Sequence, residues 1–198
     1  PCAFMNTYNP NTVFSSIDKN GRYSFGNQSK IAHWNLSIFA NTLIPIISNN
    51  EEKSIELVNE KLNSFPSIFS KKWYGMMYKK LGILEPVEKD KALVDSLLKL
   101  MEDYKADYTN TFAALSLNTD NNDILFTLKE FKEWRKQWKY QINYEKNSLD
   151  ISNLMQIQNP LHIPRNHLVE FALENSLNQN FSKLNNLLDS VSNPYDYK

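Results

Sequence analysis

The chain has 198 residues and a mass of 23.2 kDa, enough for one domain with a substantial core or for two small ones. Hydrophobic residues make up 41% and charged residues 22%, a balance that excludes a disordered polymer. Basic and acidic residues cancel at 22 each, so net charge supplies no attraction to nucleic acid or to an anionic membrane. No apolar run reaches the length of about 18 residues that a membrane helix needs.

The N-terminus, Pro1-Cys2-Ala3-Phe4-Met5, has neither an initiator Met nor a basic flank with an apolar core. It therefore reads as the start of a fragment and not as a signal peptide. One cysteine, Cys2, cannot form an internal disulfide, which fits a reducing, cytoplasmic setting.

Residues 1–27 differ from the rest of the chain. Asn9-Pro10, Asn20-Gly21 and the alternation Arg22-Tyr23-Ser24-Phe25 predict loops, a tight turn and a short strand. If that stretch is extended, Tyr23 and Phe25 share one side and anchor it on the helical body. Arg22, on the other side, is then expected to pair with Asp18 or a carbonyl. From Gln28 the period becomes helical: Ile31, Ala32, Leu36, Phe39, Ala40, Leu43 and Ile47 recur at three- and four-residue spacing. Asn49-Asn50 breaks the run, and Glu51 and Glu52 suit the start of a second helix, expected to stop near Pro66.

Further helices are expected over 67–81, over 88–104 and in the stretch TNTFAALS. Thr127-Leu-Lys-Glu130 has the spacing of a capping box, followed by the stripe Leu128, Phe131, Trp134, Trp138 and Ile142. Two last helices, 164–177 and 180–191, close the chain. The predicted class is mainly α, with seven or eight helical stretches after a non-helical leader and with Trp34, Trp73, Trp134 and Trp138 largely buried.

Ser16, Asp18 and Asn20 occupy the spacing of a calcium loop with Gly21 at its sixth position, but the twelfth is Asn27 and not a bidentate Glu. The later stretch NTDNNDILFTLKE has no glycine where one is needed. The Asn20-Gly21 turn therefore stands without calcium. His33, His162 and His167 lack the company of a zinc motif, and His162 and His167 are separated by a proline. No glycine-rich phosphate loop is present. In KEFKEWRKQWKYQ basic and aromatic residues interleave, as in a nucleic-acid or calmodulin-target helix. The same pattern also describes an aromatic core face backed by solvated Lys129, Lys132, Arg135, Lys136 and Lys139. On these grounds no residue is assigned as catalytic, cofactor-binding or metal-binding.

Three stretches carry a resemblance. PCAFMNTYNPNTVFSSIDKNGRYSFGNQSKIAHWNL is similar to the segment that follows the metal-binding Asp-Tyr-Gly of the selenoprotein O family. MEDYKADYTNTFAALS and LHIPRNHLVEFALENSLNQNFSKLNNLLDSVSNPYD resemble later segments of the same family, in the same order. The family departs from this chain at Ser29, where it commonly has Pro; either residue suits a first helical turn.

The resemblance implies a helical, C-lobe-like portion of a protein-kinase-like (pseudokinase) fold. Residues 1–27 would be an activation-segment-like leader and 28–198 a helical C-terminal domain. It implies a parent protein adenylyltransferase that uses ATP and Mg²⁺ to place AMP on Ser, Thr or Tyr of protein substrates. The family's nucleotide, metal and catalytic residues would lie upstream of Pro1, and its C-terminal Cys or selenocysteine beyond Lys198. The chain alone would then hold neither cofactor and be inactive. Protein substrates, a monomer, and no nucleic-acid or membrane partner complete this expectation. The competing one is a helical module without enzymatic activity that binds protein or nucleic acid through the 129–141 helix.

Overall fold

The computed structural model describes residues 4–197, except for the side chains of 144–147. Eight α-helices follow one another: α1 (Gln28–Ile47), α2 (Glu51–Lys80), α3 (Asp90–Asp103), α4 (Tyr108–Leu117), α5 (Lys129–Gln141), α6 (Tyr144–Gln156), α7 (Asn166–Leu177) and α8 (Ser182–Ser192). Short 3₁₀ turns at Phe25–Asn27 and Ile124–Thr127 precede α1 and α5. No strand occurs among the described residues, so the mainly α class stands and the short strand expected at 22–25 does not. The chain divides into two compact units, Pro10–Gly75 and Pro1–Asn9 with Met76–Lys198.

In the Pro10–Gly75 unit the helical period begins at Gln28, and Ser29 lies in the first turn of α1. Before it, Gly21 takes the turn's positive φ of 65°. Both carboxylate oxygens of Asp18 accept backbone N–H groups, from Arg22 at 2.9 Å and Tyr23 at 2.8 Å. Asp18 is thereby occupied by the backbone, and Arg22 does not pair with it. The Arg22 guanidinium lies instead over the indole of Trp34, 4.4 Å from the ring centroid. Tyr23 is half exposed, because Phe25 opens a 3₁₀ turn and the two-residue alternation ends there.

Pro66 does not end α2, which runs 30 residues through it. Proline has no N–H for the carbonyl four residues back, here Leu62. His33 supplies the missing donor: its Nε2 is 3.1 Å from the Leu62 oxygen, and its ring stacks on Phe65 at 5.4 Å. A carbonyl can only accept, so Nε2 carries the proton. At the two ends of α2, Glu51 and Glu52 and then Lys79 and Lys80 oppose the helix dipole.

The other unit is built around α4, whose residues Thr109 and Thr111–Ser116 are buried on all sides. Asp107 caps its start by accepting from the Asn110 N–H, and Asn118 ends it at a φ of 52°. α5 presents Phe131, Trp134 and Trp138 inward, as the stripe predicts, while Lys129, Lys132 and Lys136 are exposed. Its capping box does not form. Thr127 belongs to the preceding 3₁₀ turn, where its hydroxyl donates to the Ile124 carbonyl at 2.7 Å, and the cap position falls on Leu128. α6 has no counterpart among the predicted elements. Among its described side chains only Ile151 and Met155 are buried, too few to mark a period in the sequence. α7 packs against α8, and beyond α8 the Pro194 carbonyl accepts from the Leu161 N–H at 2.7 Å.

Gly82, just after α2, has a φ of 68°, and a Cβ there would sit 2.7 Å from Ile151 Cγ2 and 3.2 Å from Met155. Gly82→Ala is expected to destabilise this unit by roughly 1–3 kcal/mol, from left-handed strain and overpacking together. Urea unfolding measures the loss; a change within experimental error would show that α6 can step aside.

Candidate positioning site

The three stretches that carry the family resemblance each contribute residues to one cluster in the unit formed by Pro1–Asn9 and Met76–Lys198. The segment Asn6–Tyr8 lies against the entry to α4. Thr7 forms an isolated antiparallel bridge with Asp107, the Tyr8 N–H donates to the Ala106 carbonyl at 2.8 Å, and the Tyr108 N–H donates to the Asn6 carbonyl at 2.7 Å. The Tyr8 ring stacks on Tyr108 with centroids 5.8 Å apart. Burial, with Glu102 and Asp95 adding to it, pushes the Tyr8 phenol above its ordinary pKa, and burial does the same to Tyr108. Both rings therefore act as neutral packing groups.

Arg165, immediately before α7, fastens this arrangement. Its Nη1 donates to Asn6 Oδ1 at 2.7 Å and to Asp107 Oδ2 at 2.6 Å. Its Nη2 donates to Asp107 Oδ1 and Asn110 Oδ1, both at 3.1 Å. This is a planar fork on a carboxylate, a geometry lysine cannot reproduce. Asp107 is itself fixed, since Oδ1 caps α4 at Asn110 and its own N–H donates to Asp123 Oδ2 at 3.1 Å. Both members are mostly withdrawn from solvent, with side-chain exposures of 17% and 22%. The pair therefore matters more than a surface ion pair. Chemically the cluster can hold: it locks residues 6–8 to α4 and to the start of α7.

Behind it lies a second polar group. Lys80 is 8% exposed; its Nζ sits 4.9 Å from the Phe112 ring centroid and 5.7 Å from that of Tyr108, and donates weakly to the Gln158 carbonyl at 3.5 Å. Burial depresses its pKa to about 8. Asn159, fully buried, donates to the Lys80 carbonyl at 2.8 Å and to Ser116 Oγ at 2.9 Å. Tyr197 closes the set by donating to the Asn159 carbonyl at 2.8 Å.

The residues singled out in the sequence fall elsewhere. Asp18 and Arg22 shape a turn, His33 caps a carbonyl of α2, His162 and His167 are exposed, and Cys2 lies outside the described residues. The Phe131, Trp134 and Trp138 face of α5 is buried in its own unit, leaving a mixed face of Lys129, Glu130, Lys132, Glu133, Lys136, Gln137 and Tyr140 to solvent. Of the four tryptophans, Trp134 and Trp138 are buried, Trp73 is half-buried, and Trp34 is 49% exposed. Sequence reading passed over Asn6, Asp107 and Arg165. The signal was their shared membership in the resembling stretches, 58 and 159 positions from Arg165.

Residues 1–192 match the family described as protein adenylyltransferase SelO. The chain is 48% identical over its whole length to a protein of Clostridium beijerinckii named protein nucleotidyltransferase YdiU, covering 40% of that relative. Proteins of the same name from Clostridium perfringens (strain SM101) and Bacillus cereus (strain AH820) are 43% and 45% identical, again over all of this chain, with 40% and 41% of each relative covered. The chain thus spans about two-fifths of the length of the relatives it matches.

Proposed function

The chain belongs to the SelO family of protein adenylyltransferases, and from that premise we propose that it forms the helical C-terminal part of an enzyme moving AMP from ATP to hydroxyls of protein substrates. In this reading residues 1–27 are an activation-segment-like leader and 28–198 a C-lobe-like helical domain of kinase-like fold. The parent is a cytoplasmic monomer acting on proteins, not on nucleic acid or membranes. Nucleotide and metal are held by residues outside these 198. Among the described residues no three His, Cys, Asp or Glu side chains gather as a metal ion would require. Likewise, no described helix is long and apolar enough to cross a membrane.

The observation that carries the proposal is the Arg165 fork. It ties the segment that resembles the continuation of a metal-binding motif to two later motifs of the same family. A segment joined to a metal ligand transmits its own misplacement to the reacting phosphate, where small errors of position are costly. Arg165 is thus a positioning residue.

In a family-length protein containing these residues, Arg165→Met should lower AMP transfer by about tenfold or more, close to 1.4 kcal/mol of barrier. The loss should fall on kcat and not on KM for ATP. Arg165→Lys should recover only part of it, because one ammonium cannot span both carboxylate oxygens. Activity per folded molecule that is unchanged would make the fork purely structural. Absence of AMP transfer by the unsubstituted protein would remove the enzymatic reading itself.

A further inference from the structure

In the Pro10–Gly75 unit most of the larger apolar residues from the middle of α1 onward are exposed, although Ile31 near its start is buried. Leu36 is 41% exposed, Phe39 59% and Ile47 39%, while Ile38 and Ile46 on other sides of the helix are 48% and 79% exposed. From Asn35 to Ile47 the helix carries no charged residue. Its polar residues there are Asn35, Ser37, Asn41 and Thr42 alone, and an apolar face this wide is one made to be buried. Leu36, Phe39, Leu43 and Ile47 of α1 and Leu57 and Leu62 of α2 line a groove of about 480 Å³. Its one charged lining residue, Lys61, is paired with Glu60 at 2.7 Å.

We propose that this groove seats an apolar helical segment of the same polypeptide, contributed by the portion that family members carry outside these 198 residues. The relative lengths point to that occupant. The match covers only 40% of the Clostridium beijerinckii protein, so well over half of that chain is available to cover the face in cis. The groove walls span 36–47 of α1, roughly 18 Å or three helical turns, which suits one helix presenting a Leu/Ile/Phe stripe at three- and four-residue spacing. The lining offers no unpaired charge to select a charged peptide. A covalently joined segment also has a high effective concentration, so it fills the groove at any protein dilution. The inference rests on family membership and is independent of the adenylyl-transfer reading.

Phe39→Cys in a Cys2→Ser background provides the test, read as the rate of maleimide labelling at high dilution. In the 198-residue chain the thiol should react as an exposed one. In a chimera where these residues replace the matched part of the Clostridium beijerinckii protein, labelling should slow by about tenfold or more. Equal rates in a folded chimera overturn the proposal. So does protection that appears only on concentration, together with a dimer in sedimentation, which would assign the groove to a second copy. If the chimera does not fold, hydrogen exchange of the intact relative against its own isolated matched segment decides. Peptides corresponding to α1 must exchange more slowly in the intact protein, and equal exchange overturns the proposal.

Discussion

Trp138→Ala should remove about 3–5 kcal/mol of stability, enough to unfold a marginal unit outright. The indole is fully buried and stacks on Trp134 at 5.9 Å with the rings nearly parallel. Its Nε1–H donates to the Leu81 carbonyl at 2.8 Å, at the point where α2 ends. Truncation therefore opens a large cavity and also leaves a buried carbonyl without its donor, and the two costs add. Trp138→Phe separates them, since it keeps most of the ring volume and loses only the hydrogen bond; about 1–2 kcal/mol is expected for it. Denaturant unfolding followed by far-UV circular dichroism gives both values. A loss below about 1 kcal/mol for Trp138→Ala would mean that the aromatic stripe of α5 is not core, and would return it to the role of a binding surface.

The second large effect has the opposite sign. Lys80 is buried with a pKa near 8, against 10.5 for an ordinary lysine, so folding disfavours its charged form. The unfolded chain then binds more protons than the folded one between pH 8 and 10.5, and stability rises with pH across that window. Below pH 8 the whole penalty is present, on the order of 3 kcal/mol from the size of the shift. Contact with the Phe112 and Tyr108 rings and the weak bond to Gln158 offset part of it. Lys80→Met keeps the apolar stem and removes the charge, so it should stabilise the protein at pH 7 by roughly 1–3 kcal/mol and flatten the slope above pH 8. Tyr8, Tyr108 and Tyr197, whose phenols burial pushes upward, act the other way above pH 10. The comparison of the two proteins is therefore cleanest between pH 7 and 9.5. A substitution that destabilises at pH 7, with an unchanged slope, would show that the ammonium is a needed partner and not a burden.

The sequence alone determined the elements whose signals are local. The long stripe of α1, the break at Asn49-Asn50, the aromatic face of α5 and the turn at Gly21 were all legible, because neighbours along the chain suffice to form them. The order of three motifs was legible as well, and with it the family. Tertiary structure decided whatever depended on a distant partner. Pro66 reads as a stop, yet α2 passes through it because His33, 29 residues before Leu62, donates to the carbonyl that proline leaves free. Among the described side chains of α6 only Ile151 and Met155 are buried, so its helix rests on packing rather than on periodicity. Arg22 has a carboxylate close in sequence, but the backbone takes both oxygens of Asp18 first, and the guanidinium turns to Trp34. Arg165 binds Asp107 and Asn6 across 58 and 159 positions, a pairing that no local pattern encodes. Local propensity fixes where a helix can form; which side chain completes a missing hydrogen bond is settled only when the chain closes on itself.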